Sequence, residues 1–169
     1  MPSASISGGA VKISHATVVV TVEFDKFITT LESLLGKYDP TVAVQIRKDP
    51  QVADRMLQAM EGEQNLMIFW KLNHGGLFSL IGESRNAIRY TIGNPRIALQ
   101  MTRHDIAAAL YVPFNILVIE NDGGSVRVEY DLPSSQLEQF GNPDVLHIAT
   151  QLDQRIKGLL AATARAATL

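Results

Sequence analysis

The chain of 169 residues contains no cysteine. That absence removes disulfides, thiolate nucleophiles, iron–sulfur clusters and Cys-ligated zinc together, and it is compatible with a reducing, cytoplasmic setting. Net charge is almost absent as well, because 15 Lys plus Arg stand against 17 Asp plus Glu, for a formal charge of −2. No summed basic field exists to hold a phosphate backbone, so nucleic acid is not an expected partner. Long hydrophobic runs are missing too: the apolar stretches are broken by Lys71, Asn115 or Glu120. None approaches the roughly 18 consecutive apolar residues of a membrane span, and no membrane partner is expected. Neither a Gly-x-Gly-x-x-Gly nor a Gly-Lys-Ser/Thr sequence occurs, which removes the usual entry points for nucleotides. The histidines, His15, His74, His104 and His147, share no His-x-x-His or His-Glu-x-x-His spacing. No metal site is therefore expected. Haem would need one His and at most Met67 or Met101 as a second axial ligand, but such residues are usually plain core, and no cofactor is expected.

What is present suits one compact domain, with 46% hydrophobic and 19% charged residues, enough apolar material to offset the entropy of ordering. Residues 1–14 are rich in Ser and Gly and read as a flexible N-terminal tail. The domain is expected over 15–163, followed by a short C-terminal tail, 164–169.

Period-two alternation of Val18, Val20, Val22 and Phe24 with Thr17, Thr21 and Glu23 predicts a half-buried first strand. Asp25 is placed to cap a helix carrying Phe27, Ile28, Leu31, Leu34 and Leu35, with Gly36 as its left-handed stop. Thr41–Ile46 predicts a second strand. Asp49-Pro50 opens another helix, with Val52, Met56 and Met60 on one stripe. In a third strand, Leu66–His74, the alternation places Ile68, Trp70, Leu72 and His74 on one face. Ile88–Ile92 predicts a fourth strand, Asn94-Pro95 the start of a helix, and Phe114–Glu120 with Ser125–Asp131 a hairpin about Gly123-Gly124. Asn142-Pro143 begins a final helix. The sum is an α+β domain in the order β-α-β-α-β-β-α-β-β-α, a mixed or antiparallel sheet with helices packed on it.

The Gly93-Asn94-Pro95 turn, the helix after it, and a hairpin led by Pro113 and ending near Tyr130 and Pro133 resemble the family known as domain of unknown function 302. The resemblance covers roughly residues 16–160 and implies the same α+β layout. It also reaches Asn73-His74, where that family often has Asp-His.

His74 ends an apolar strand before the flexible pair Gly75-Gly76, a place where an imidazole can act as general acid or base or can be a hydrogen-bonded strand end. An amide at Asn73 cannot stabilise an imidazolium as a carboxylate does, which argues against an Asp–His relay. His74-Gly75-Gly76 is like an esterase oxyanion loop, yet no Gly-x-Ser-x-Gly elbow accompanies it. Asn94 could direct free N–H groups at an anion with Arg89 nearby, or could simply cap its helix. Tyr111 and Tyr130 could orient a polar ligand group or supply apolar area. The leading expectation is a small-molecule binding domain with an apolar pocket between sheet and helices. Trp70, Phe69, Tyr90 and Met101 would form its walls and His74, Asn73 and Arg89 its polar contacts. Its ligand would be an apolar or carbonyl-containing metabolite, and an isomerase or cyclase would use His74 as the base. The competing expectation is a non-catalytic homodimer formed through an exposed strand or hairpin.

Overall fold

In the computed structural model, which describes residues 4–169, residues 4–14 are exposed and without regular structure. Beyond them, β1 (His15–Val20), α1 (Phe24–Leu34) and β2 (Gly36–Lys37) lead into a helical hairpin, α2 (Val42–Lys48) and α3 (Pro50–Ala59). Then follow β3 (Met67–Asn73), β4 (Ala87–Gly93), α4 (Pro95–Thr102), β5 (Phe114–Glu120), β6 (Val126–Asp131), α5 (Pro133–Leu137) and α6 (Pro143–Ala167). The six strands form one sheet in the order β1-β6-β5-β4-β3-β2. Every pairing is antiparallel except β2 with β3, which is parallel. The protein is an α+β domain with a mixed sheet.

The helices cover one face of the sheet. Tyr90, Ile92, Ile116, Val118, Val126 and Val128 point to that face and join Phe27, Leu31, Ile156 and Leu159 in the main core. Each such side chain fully buried contributes about 1.5–3 kcal/mol over leaving it in water, so α6, which buries Val145, Leu152, Ile156, Leu159 and Leu160, is the principal clamp on the sheet. Where a C-terminal tail was expected from residue 164, α6 continues to Ala167, which is itself buried.

Three helices begin with the same device, an Asx residue at the N-cap and Pro at the first helical position. Asp49 accepts from the N–H groups of Gln51 and Val52, Asn94 from Arg96, and Asn142 from Asp144 and Val145. Each satisfies donors that the helix start leaves without partners, at about 1 kcal/mol per cap. The expected cap at Asp25 lies instead inside α1, whose N-cap is Glu23.

The second strand is not Thr41–Ile46. That stretch forms α2, in which only Val42 is buried, while Val44 and Ile46 are about half exposed. Its β-branched alternation was misleading because the sheet edge is already taken by Gly36–Lys37, whereas Val42 closes a small cluster with Ala53 and Leu57 of α3. Tertiary packing overrides local preference here. Gly36 is required for close approach rather than for a left-handed turn: a Cβ there would sit 1.7 Å from the Met60 carbonyl oxygen.

The third strand carries a bulge. Ile68 pairs with Ile92 and Trp70 with Thr91, leaving Phe69 as the extra residue. The bulge turns Ile68 to the helix side and Trp70 with Leu72 to the other, so these residues do not share a face as strict alternation predicted. Trp70 and Val19 are both 61% exposed on the side the helices leave open.

At the edge of that open face, His15 on β1 is gripped by β6. Its Nδ1 lies 2.8 Å from Asp131 Oδ1 and its Nε2 2.7 Å from Glu129 Oε2, which also accepts from the Thr17 hydroxyl. Hydrogen bonds to Asp131 and then Glu129 raise the His15 pKa above 6.5. A raised folded-state value stabilises the native state fully below pH 6.5 and loses that contribution as the pH climbs through the raised value. Amide exchange should show β1 opening more readily above that range in the wild type, whereas His15→Gln should show little such dependence. A pH-independent wild-type strand would contradict the grip.

Candidate functional site

A cavity of about 520 Å³ lies on the open side of the sheet. Its floor follows from cross-strand register: Arg89 pairs with Leu117, Ala87 with Ile119, and Ile119 with Arg127. Arg89 and Arg127 alternate with core residues on β4 and β6 and therefore face away from the helices. They flank the apolar pair Leu117 and Ile119. The wall is the 3-10 segment Gly75–Ile81 with the loop after it, which brings His74, Phe78 and Arg85 to the cavity. The Arg85 guanidinium stands 6.0 Å over the Phe78 ring.

Three arginines and His74 thus face a cavity whose acidic members are Glu120 and Asp122. Glu120 is already engaged, accepting from Asn86 Nδ2 at 2.8 Å. The two floor arginines differ. Arg127 Nε lies 3.0 Å from Glu129 Oε1, an ion pair whose geometry does not make a hydrogen bond. Arg89 Nε is buried with no hydrogen-bond partner at all. A buried unpaired donor of this kind costs about 1–3 kcal/mol, a cost that a ligand oxygen would relieve.

The single pocket expected from sequence is divided in the structure. His74 and Arg89 line the open-face cavity. Asn73 does not: it pairs with Ile88 on the helix side, and its Oδ1 accepts from the Gly76 N–H at 2.9 Å, which makes it a brace for the turn rather than a partner of His74. Phe69, Asn94 and Met101 line a second, smaller cavity of about 250 Å³ at the opposite end of the sheet. Trp70 stands exposed beside Lys71 and Glu32 at the β3 edge.

Tyr90 is wholly buried, and its hydroxyl donates to the Glu32 carboxylate, which Lys71 also holds. Desolvation, then the bond to Glu32, pushes the phenol pKa well upward, so Tyr90 is a fixed donor within the core. Tyr130 is likewise core, its pKa raised by burial and then by the Asp153 charge. Neither reaches the open-face cavity.

Asn94 is 5% exposed and fully used. Its Oδ1 accepts from the Arg96 N–H, while its Nδ2 donates to Glu61 Oε1 at 2.8 Å and to the Asn65 carbonyl at 2.7 Å. With Glu61 also bound to Arg96, a carboxylate already occupies the place where an external anion was expected at α4.

Arg127, Arg85, Phe78, Leu117 and Ile119 were not singled out in the sequence. The alternation Val126-Arg127-Val128 held the needed signal, since an Arg between two core residues must face away from the core. Among the described residues no group of three or more His, Asp or Glu side chains could hold a metal ion, and no helix is long and apolar enough to cross a membrane.

The fold and cavity define a one-sided α+β sheet domain with an arginine-floored hollow on its bare face. The chain belongs to the family described as domain of unknown function DUF302, whose model matches residues 41–163. It is similar in structure to an uncharacterised conserved DUF302 protein from Bacillus stearothermophilus, with a TM-score of 0.63 and 15% sequence identity. That likeness covers 88% of this chain and 96% of the other, and it is one of fold. No curated protein matches the sequence.

Proposed function

We propose that the protein binds a small amphipathic anion, a carboxylate or similar group joined to an apolar or carbonyl-containing body, in the cavity on the open sheet face. The observation that carries this reading is the Arg89 guanidinium, whose Nε is buried and unpartnered, in a floor it shares with Arg127, Leu117 and Ile119. A planar guanidinium pairs well with a carboxylate, and the apolar floor suits the rest of such a molecule. His74 adds a proton-transfer group at the wall. A cofactor-independent isomerase or cyclase acting on a bound carbonyl would use His74 as acid or base and Arg89 as donor to the developing oxyanion. The reading places this binding protein in the cytoplasm, with which a cysteine-free chain is compatible.

Displacement of the fluorescent anion anilinonaphthalene sulfonate by decanoate tests the proposal, with decanol as the neutral control. Decanoate should compete and decanol should be at least about 10-fold weaker, while Arg89→Leu should weaken decanoate about 10- to 100-fold, since bonds to a charged group carry about 1.5–3 kcal/mol. Equal affinity in wild type, Arg89→Leu and Arg127→Leu would overturn it.

The second reading is a non-catalytic homodimer, and its support is the bare sheet face with Trp70 and Val19 exposed. Two such faces packed together would also close the cavity. Sedimentation at rising concentration should then give a dimer that Trp70→Glu dissociates; a monomer throughout would remove this reading.

A further inference from the structure

We infer that the second cavity is a binding site for a small neutral aromatic molecule, separate from the anion site. Ala87 lines the first cavity and Gly93 the second, at opposite ends of β4, a separation of about 20 Å along the strand at about 3.3 Å per residue. The two hollows share no lining residue.

The second cavity is built for rings. Tyr38 and Phe69 stack with centroids 4.3 Å apart and planes 19° off parallel, so a flat face is already ordered at one side. Met101, fully buried, and Phe114 stand among the other walls. A thioether beside an aromatic ring is a favourable contact, and offset stacking adds about 0.5–1.5 kcal/mol beyond burial. The bulge at Phe69 and the absence of a side chain at Gly93 open the space. A Cβ on Gly93 would sit 2.9 Å from Pro113 Cβ and 3.7 Å from the Phe69 ring.

Polarity sets the ligand's charge. Pro95 has no N–H, and both ends of the Asn94 amide are committed to Arg96, Glu61 and Asn65. Glu61, whose carboxylate is held beside Asn94, further disfavours an anion. A ligand here therefore finds mostly apolar surface, with the Tyr38 phenol in the lining and no free donor or acceptor from Asn94, which favours a neutral ring. Size follows from the volume. An apolar cavity of about 150 Å³ takes benzene, and drug-sized sites begin at about 300 Å³. The 250 Å³ here suits one ring or two fused rings. Ala98, half-buried on α4, stands among the lining residues.

The test is a titration of the intact protein, labelled at its methionine methyl groups, with indole. The Met101 methyl resonance should shift saturably through the ring current while Met56, outside the cavity, stays fixed. Ala98→Trp should weaken indole at least 10-fold by filling the space, and Arg89→Leu should leave indole binding unchanged, which separates this site from the anion site. If Ala98→Trp fails to fold, Ala98→Leu serves, with a smaller loss of affinity. A wild-type Met101 signal that does not saturate with millimolar indole would overturn the inference, as would decanoate displacing indole.

Discussion

Gly75→Ala should lower the stability of the domain by about 3 kcal/mol and remove anion binding in the same step. Gly75 is buried, and a Cβ there would lie 2.0 Å from the Arg85 carbonyl oxygen and 2.8 Å from the Ala87 nitrogen. Both obstacles are backbone, so neither can swing aside as a side chain would, and overpacking of this kind costs roughly 1–3 kcal/mol or more. For a domain of this length that corresponds to a fall in melting temperature of about 6–12 °C. The affected contact holds the 3-10 segment against residues 85–87, and it is this contact that brings His74, Phe78 and Arg85 to the cavity. Gly76→Ala is the control. Its Cβ would meet only the Asn73 side chain, no closer than 3.4 Å, so stability and binding should stay near wild type. Thermal denaturation of the two variants decides the matter, and equal melting temperatures would contradict the role assigned to Gly75.

Asn94→Ala should cost about 2–3 kcal/mol and leave decanoate affinity unchanged. The substitution removes the α4 cap, at about 1 kcal/mol, together with two buried donations to Glu61 and the Asn65 carbonyl. Burial alone would raise the Glu61 carboxyl pKa, but hydrogen bonds from Asn94, Asn65 and Arg96 outweigh it and hold the value below 4.5. A depressed folded-state value gives stability that is complete above pH 4.5 and is lost as the pH falls through the lowered value. The difference between wild type and Asn94→Ala should therefore be widest above pH 4.5 and narrow in acid. Urea melts across that range measure it. A loss of anion affinity in Asn94→Ala would instead return Asn94 to the role of ligand contact.

Much of the fold was legible because its signals are local. Asx-Pro pairs mark three helix starts, Gly123 and Gly124 take positive φ at the expected hairpin tip, and alternation on β4, β5 and β6 separates core from bare face. The errors arose where distant partners decide. Thr41–Ile46 has strand-like residues but packs on α3, and the bulge at Phe69 could not be read from a run that alternates well on either register. The site was half legible for the same reason. His74 and Arg89 carry chemistry in their residue types, whereas their separation from Phe69 and Met101 depends on the helices covering only one side of the sheet. Local alternation shows that Arg127 faces away from the core, but its nearness to Arg89 depends on the cross-strand pairings of Arg89 with Leu117 and of Ile119 with Arg127.

The most direct measurement is a crystal structure of the protein grown with decanoate. The expected result is one carboxylate oxygen within hydrogen-bond distance of the Arg89 guanidinium, with the alkyl chain over Leu117 and Ile119. A carboxylate bound elsewhere, or a cavity still empty at a decanoate concentration that saturates the protein in solution, would contradict the proposed site.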